Sequence, residues 1–164
     1  MAKGVLEKAM DYLALRPLST CELRSKLSTS EHYTPEEIEE ALEICCRRGY
    51  LNDTLLASDA AHYLNSCGKG ERLIRKKLRA RGISEEELSS ALEEITPEHE
   101  EEAARSAAEG KLRLLVREKD IRKKREKLFR FLVSRGFSPA LAGNTVREVV
   151  NAPQEEEFPE DFNA

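Results

Sequence analysis

Tryptophan is missing from this chain, and aromatic residues of all kinds make up only 5% of it. So few large side chains argue against one thick core and suit several thin helix-on-helix cores. No run approaches the ~18 apolar residues of a membrane span. Glu7 and Asp11 interrupt the N-terminal apolar stretch where a signal peptide would need its hydrophobic region. These absences predict a soluble, cytoplasmic protein with no membrane partner. Four cysteines are present, Cys21, Cys45, Cys46 and Cys67, but they form no CxxC pair and no His-flanked ligand set. No metal site is expected, nor any disulfide in a cytoplasmic chain. Cys45 continues an apolar stripe and reads as a buried thiol.

Catalytic constellations are equally scarce. His32, His62 and His99 are scattered, and His62 with Asp59 reads as a surface pair on a helix. There is no GxGxxG and no Walker A sequence. Gly68-Lys69-Gly70 is two glycines ahead of a helix, better suited to letting that helix turn than to holding a phosphate. No cofactor and no enzymatic activity are expected.

What the chain has is charge and helix-forming residues. Asp, Glu, Lys and Arg make up 35% of it, and the net charge is −4. That total hides a segregation. Seven Lys/Arg stand against one acid from Lys69 to Arg81, and eleven against three from Lys111 to Arg135. Acids gather at Glu36–Glu43, Glu85–Glu102 and Glu155–Asp161. Blocks of this kind create local fields that steer an oppositely charged partner whatever the sum.

The sequence also repeats itself. Arg81-Gly82-Ile83-Ser84 returns as Arg135-Gly136-Phe137-Ser138, with Leu78 matching Leu132 and Lys76 matching Arg130. A weaker copy runs through Leu23, Leu27, Thr34, Ile38 and Leu42. Helix-start signals recur with it: Ser19 with Glu22, Thr34-Pro35 with Glu37, Ser84, Thr96-Pro97, Asp120 and Ser138-Pro139. Asp53 reads as the cap of the helix after Tyr50-Leu51, and Gly110 as a bend or frayed point in a long Ala-rich helix. The apolar periodicity predicts an all-α fold, an elongated, curved array of three tandem three-helix repeats. The units expected are 1–52, 53–95 and 96–151, with 152–164 an acidic disordered tail.

The basic helices carry the functional signal. Arg72, Arg75, Lys76 and Arg79 fall at i, i+3, i+4 and i+7, and Lys123, Lys127 and Arg130 make a comparable stripe. Both stripes suit an anionic groove partner, a nucleic acid or an acidic protein filament. The structural alternative pairs them with the acidic third helices of neighbouring repeats. A helix-turn-helix reading fails, because the helices after the first two turns begin PEEIEE and SEEELSS, which phosphates repel.

Three stretches in order, GYLND (Gly49–Asp53), GKGERLIRKKLRARGIS (Gly68–Ser84) and KLFRFLVSRGFS (Lys127–Ser138), together resemble the bacterial RecX regulatory family. Two departures stand out: Leu55-Leu56 where such proteins usually have Phe before Ala, and Lys77 where the family usually has Glu. The resemblance implies a non-enzymatic protein that binds RecA and lodges in the groove of its filament on single-stranded DNA. It implies modulation, mostly inhibition, of recombinase, ATPase and co-protease activity in DNA repair and the SOS response. On matching positions, Lys69, Arg72, Arg75, Lys76, Arg79 and Arg81 fall in the second-repeat motif, and Lys127, Arg130 and Arg135 in the third. With Lys123 these are the expected filament- or DNA-facing cations. Arg81 and Arg135 read equally as helix C-terminal charges complementing the dipole. A monomer with weak direct DNA binding is expected, and a stand-alone, non-sequence-specific nucleic-acid binder is the rival reading.

Overall fold

The computed structural model describes residues 4–151; the tail expected to be disordered lies outside the described residues. Within them every regular element is helical. The helices are α1 Val5–Leu15, α2 Thr20–Ser28, α3 Pro35–Arg47, α4 Asp53–Ser66, α5 Glu71–Ala80, α6 Glu85–Glu93, α7 Pro97–Leu114, α8 Ile121–Ser134 and α9 Pro139–Asn151. None is long and apolar enough to cross a membrane. Starts fall where the sequence signals them. Ser19–Glu22, Thr34–Glu37 and Ser84–Glu87 each form a reciprocal capping box, satisfying two otherwise free N–H groups apiece.

Two local expectations are corrected. Asn52, not Asp53, caps α4, through a bond from the Leu55 N–H. Asp53 is drawn away because its carboxylate accepts the Thr20 N–H of α2, at 2.9 and 3.2 Å. It therefore serves the start of a helix in the preceding unit. Gly110 does not end α7, which continues to Leu114.

Three cores follow in chain order. The first joins Ala9, Leu18, Leu23, Leu27, Ile38, Leu42, Cys45 and Leu51. The second joins Ala57, Ala61, Ile74, Leu78, Ile83, Leu88 and Ala91. The third joins Ala103, Ala104, Ala108, Leu128, Leu132, Phe137, Ala142 and Val146. Each is supplied by three consecutive helices, and burial raises the Cys45 thiol pKa. Between units the principal helix pair is α4 with α7. Near this contact, a Cβ on Gly68 would sit 3.0 Å from the Ala107 Cβ, so small residues set the approach.

The repeated Arg-Gly turn is what joins the units. In the second unit it docks on the N-terminus of α2. The Ser19 hydroxyl, wholly buried, donates to the Arg81 carbonyl while accepting the Glu22 N–H. The Arg81 guanidinium donates to Glu22 at 2.9 Å and to the Pro17 carbonyl at 3.1 Å. Burial pushes the Glu22 carboxyl up, but Arg81, the Ser19 N–H and Arg16 outweigh it and hold the pKa at about 2.

In the third unit the turn docks on the N-terminus of α5. The Gly70 N–H donates to the Arg135 carbonyl at 2.9 Å, and the Arg72 N–H donates to the Gly136 carbonyl at 3.1 Å. The backbones meet so closely that a Cβ on Gly70 would lie 2.4 Å from the Phe137 nitrogen. Gly68-Lys69-Gly70 is thus a seat for the next repeat, and the start of α5 is already occupied by carbonyls rather than open to a phosphate. Gly82 and Gly136, at φ +78° and +94°, supply the left-handed backbone of the two turns.

This geometry gives opposite signs for two Gly→Ala changes. Gly70 has an ordinary φ of −83°, so Gly70→Ala suffers only from the neighbouring repeat and should cost more than ~2 kcal/mol. Gly110→Ala, in open space on a helix, should stabilise by roughly 0.5–1 kcal/mol. Urea unfolding of both variants checks the pair.

A pH dependence follows from Glu22. Its folded pKa lies below the ordinary 4.5, so its contribution is complete above that value and is lost as pH falls toward 2. Wild type should lose more stability than Glu22→Gln across that window, by about 1–2 kcal/mol, with the two curves converging at its acid end. Denaturant titrations at stepped pH read the difference.

Candidate functional site

Ile74 and Leu78 turn α5 toward the second core, and Leu128 and Leu132 turn α8 toward the third. Arg72, Lys76 and Arg79 therefore ride on the outer side of α5, and Lys123 and Arg130 on the outer side of α8. The structure sorts the ten predicted cations into three groups.

Three are neutralised within their own unit. Arg75 bonds to Glu85 and, at 3.0 Å, to Glu71. Arg79 reaches the same Glu85 at 2.6 Å, and this contact foremost pulls the Glu85 pKa down. Lys127 lies 2.6 Å from Glu118, whose pKa is lowered chiefly by that ammonium. The acidic helix start that discouraged a helix-turn-helix reading thus clamps half of the first stripe. The clamp comes from the unit's own third helix, not from a neighbour's.

Two belong to the unit junctions. Arg81 and Arg135 do stand as C-caps of α5 and α8, where a cation suits the dipole. Their side chains serve a second purpose. Arg81 holds Glu22, as above. Arg135 lies 5.4 Å over the Phe131 ring and donates to the Cys67 carbonyl at 3.4 Å. Leu73, not a carboxylate, faces Gly136 at this junction, so the Arg135 Nε is buried without a partner among the described residues.

Five form no ion pair among the described residues, Lys69, Arg72, Lys76, Lys123 and Arg130, although the Lys123 charge helps lower the Glu118 pKa. Lys69 and Lys123 are 54 positions apart, and so are Lys76 and Arg130. The uncompensated charge therefore recurs at equivalent places in the second and third units. Lys77 and Lys124, outside the predicted stripes, also form no ion pair among the described residues. Their signal was present in the sequence as density of charge rather than as spacing.

No group of three or more His, Cys, Asp or Glu side chains among the described residues is placed to hold a metal. His62 does not pair with Asp59; its Nε2 lies 3.4 Å from Glu94 on the exposed surface. The arrangement offers exposed, spaced positive charge on rigid helices, a surface for docking an anion-bearing partner.

Comparison with known proteins gives a consistent answer. The family model for the first three-helix domain of RecX matches residues 6–45, and that for the third three-helix domain matches residues 99–143. The regulatory protein RecX of Vibrio vulnificus is 35% identical over 132 residues, covering 80% of this chain and 84% of that one. That of Limosilactobacillus reuteri is 32% identical over 152 residues, or 92% of this chain, yet the chain spans only 56% of that relative's length. The crystal structure of RecX from Lactobacillus salivarius shares the fold, with a TM-score of 0.78 at 22% identity over 88% of this chain and 94% of that one. A second RecX crystal structure gives a TM-score of 0.77 at 25% identity, covering 88% of this chain and 71% of the other. The all-α tandem architecture and the sequence likeness agree, and the chain belongs to the RecX family of regulatory proteins.

Proposed function

We propose that this protein binds RecA and the RecA filament on single-stranded DNA, lodges in the filament groove, and modulates its recombinase, ATPase and co-protease activities, mainly by inhibition. It acts in DNA repair and the SOS response, as a monomer in the cytoplasm, with units 1–52, 53–95 and 96–151 forming a curved array. One observation carries the reading: unpaired cations recur at equivalent positions of two consecutive units. A filament is itself a repeating partner, and a repeating array of weak ionic contacts gains from effective concentration along it. The bound array biases the protomer interface toward one arrangement, which slows turnover and extension. Lys69, Arg72, Lys76, Lys123 and Arg130 make the contacts. Arg75, Arg79 and Lys127 are held in reserve by their carboxylates, while Arg81 and Arg135 fix the spacing.

The test titrates the protein, below one copy per RecA, into RecA carrying out DNA-dependent ATP hydrolysis, with filament persistence followed alongside. Inhibition at that ratio is the expected result. Arg72→Glu with Lys76→Glu should raise the half-inhibiting concentration about tenfold, without loss of helicity. Glu85→Gln, which releases Arg79 while Glu71 still holds Arg75, should lower it modestly, by about twofold. Salt-sensitive binding to bare single-stranded DNA with no effect on RecA would point instead to a stand-alone nucleic-acid binder.

A further inference from the structure

A cleft of about 410 Å³ opens where the second and third units meet, between the end of α4, the C-terminal half of α7 and the end of α8. Two cations line it, Lys111 from α7 and Arg135 from the end of α8, and among the described residues no carboxylate does. Lys111 forms no ion pair among the described residues. Arg135 forms none either. Its guanidinium donates only to the Cys67 carbonyl, at 3.4 Å, and its Nε has no acceptor there. Both charges lie 5.4 Å from the centre of the Phe131 ring, so no more than twice that distance separates them. Two uncompensated cations on one cleft repel each other, and an anion between them relieves the repulsion.

Gly110 adds a steric observation. It lies inside α7, where glycine is less favourable than alanine, and no neighbouring atom requires it, since an added Cβ would meet nothing within 4 Å. It lines the same cleft beside Lys111. Glycine in that position leaves the helix backbone open to close approach by a ligand. The donors also outnumber what a carboxylate can use. Lys111 brings an ammonium, Arg135 the N–H groups still without acceptors, and Ser106 a hydroxyl. The oxygens of a phosphate match that set better than the two of a carboxylate. Ala107, Leu114 and Phe131 supply apolar wall, suited to the organic part of an ester.

We propose that this cleft binds the phosphate group of a nucleotide, held between Lys111 and Arg135. Arg135 is the fixed side, because its carbonyl accepts the Gly70 N–H and its side chain is tied to Cys67. Lys111, on a flexible stem, is the side that closes. Cys67 and Gly68 come from the second unit, and Lys111 and Arg135 from the third. Occupancy therefore ties the two units together and stabilises the folded array by mass action. The nucleotide is either free or part of a nucleic-acid strand, two sources with the same chemistry. The site does not rest on the proposed RecA reading.

The experiment therefore omits RecA. Backbone amide and arginine side-chain NMR spectra of the full chain are recorded as inorganic phosphate is added, with sodium chloride at matched ionic strength as reference. Phosphate should shift the Gly110, Lys111 and Arg135 resonances saturably, and chloride should not. Gly110→Leu fills the cleft but keeps its charges, and Lys111→Gln keeps its shape but removes a charge. Each should weaken binding about tenfold, with helicity unchanged by circular dichroism. Thymidine monophosphate and a short oligothymidylate then replace inorganic phosphate, and whichever saturates the same resonances at the lower concentration identifies the source. The proposal is overturned by the absence of a saturable shift with all three. Shifts that chloride reproduces, shifts that persist undiminished in either variant, or tighter binding of acetate than of phosphate overturn it equally.

Discussion

The free donors at a helix N-terminus organise this molecule. Any helix begins with N–H groups that its own turns do not satisfy. In α2 and α5 the missing acceptors come partly from the following repeat. Asp53 accepts from Thr20, and the Arg135 and Gly136 carbonyls accept from Gly70 and Arg72. Each of these helices is therefore completed only when the next unit is seated. The small three-helix cores, built largely from Ala and Leu, gain a directional joint that hydrophobic contact alone would not provide.

The two joints solve the same problem with different chemistry. At the first, Ser19 both caps its own helix and donates across the junction, while Glu22 serves its capping box and Arg81 together. At the second, the Glu100 carboxylate accepts only a backbone N–H, that of Glu71 at 3.4 Å, and glycine removes the side chain so that backbone meets backbone. The first is stiffened by charge and answers to pH. The second is stiffened by close approach and answers to volume. Conserving the Arg-Gly turn in both copies within this chain reflects a shared geometric demand, a left-handed residue ending one helix where another begins.

Much of the fold was legible in the sequence because its causes are local. Leu128 and Leu132, Ile38 and Leu42, and the Ser84 and Thr34 caps follow from spacing of a few residues. Illegible were choices made between distant segments. Nothing near Asp53 shows that its carboxylate will be claimed by Thr20, leaving Asn52 to cap α4. Arg81 and Arg79 look alike in sequence, yet one holds a unit junction and the other a neighbouring helix. All four cations of the stripe lie within α5, but which of them remain uncompensated depends on where Glu85 comes to rest.

That sorting of charge joins architecture to function. The chain is net negative, so attraction to an anionic partner cannot come from its total charge. In the proposed function it comes from cations that form no ion pair among the described residues and that the fold holds at fixed separations. Effective concentration rewards such an array only while the units keep the span that the partner presents, and falls when the span wanders. Arg81 and Arg135 need not touch a partner to matter in this scheme. By helping to fix the second junction, Arg135 sets the distance between Lys76 and Arg130, and with it whether both could bind at once.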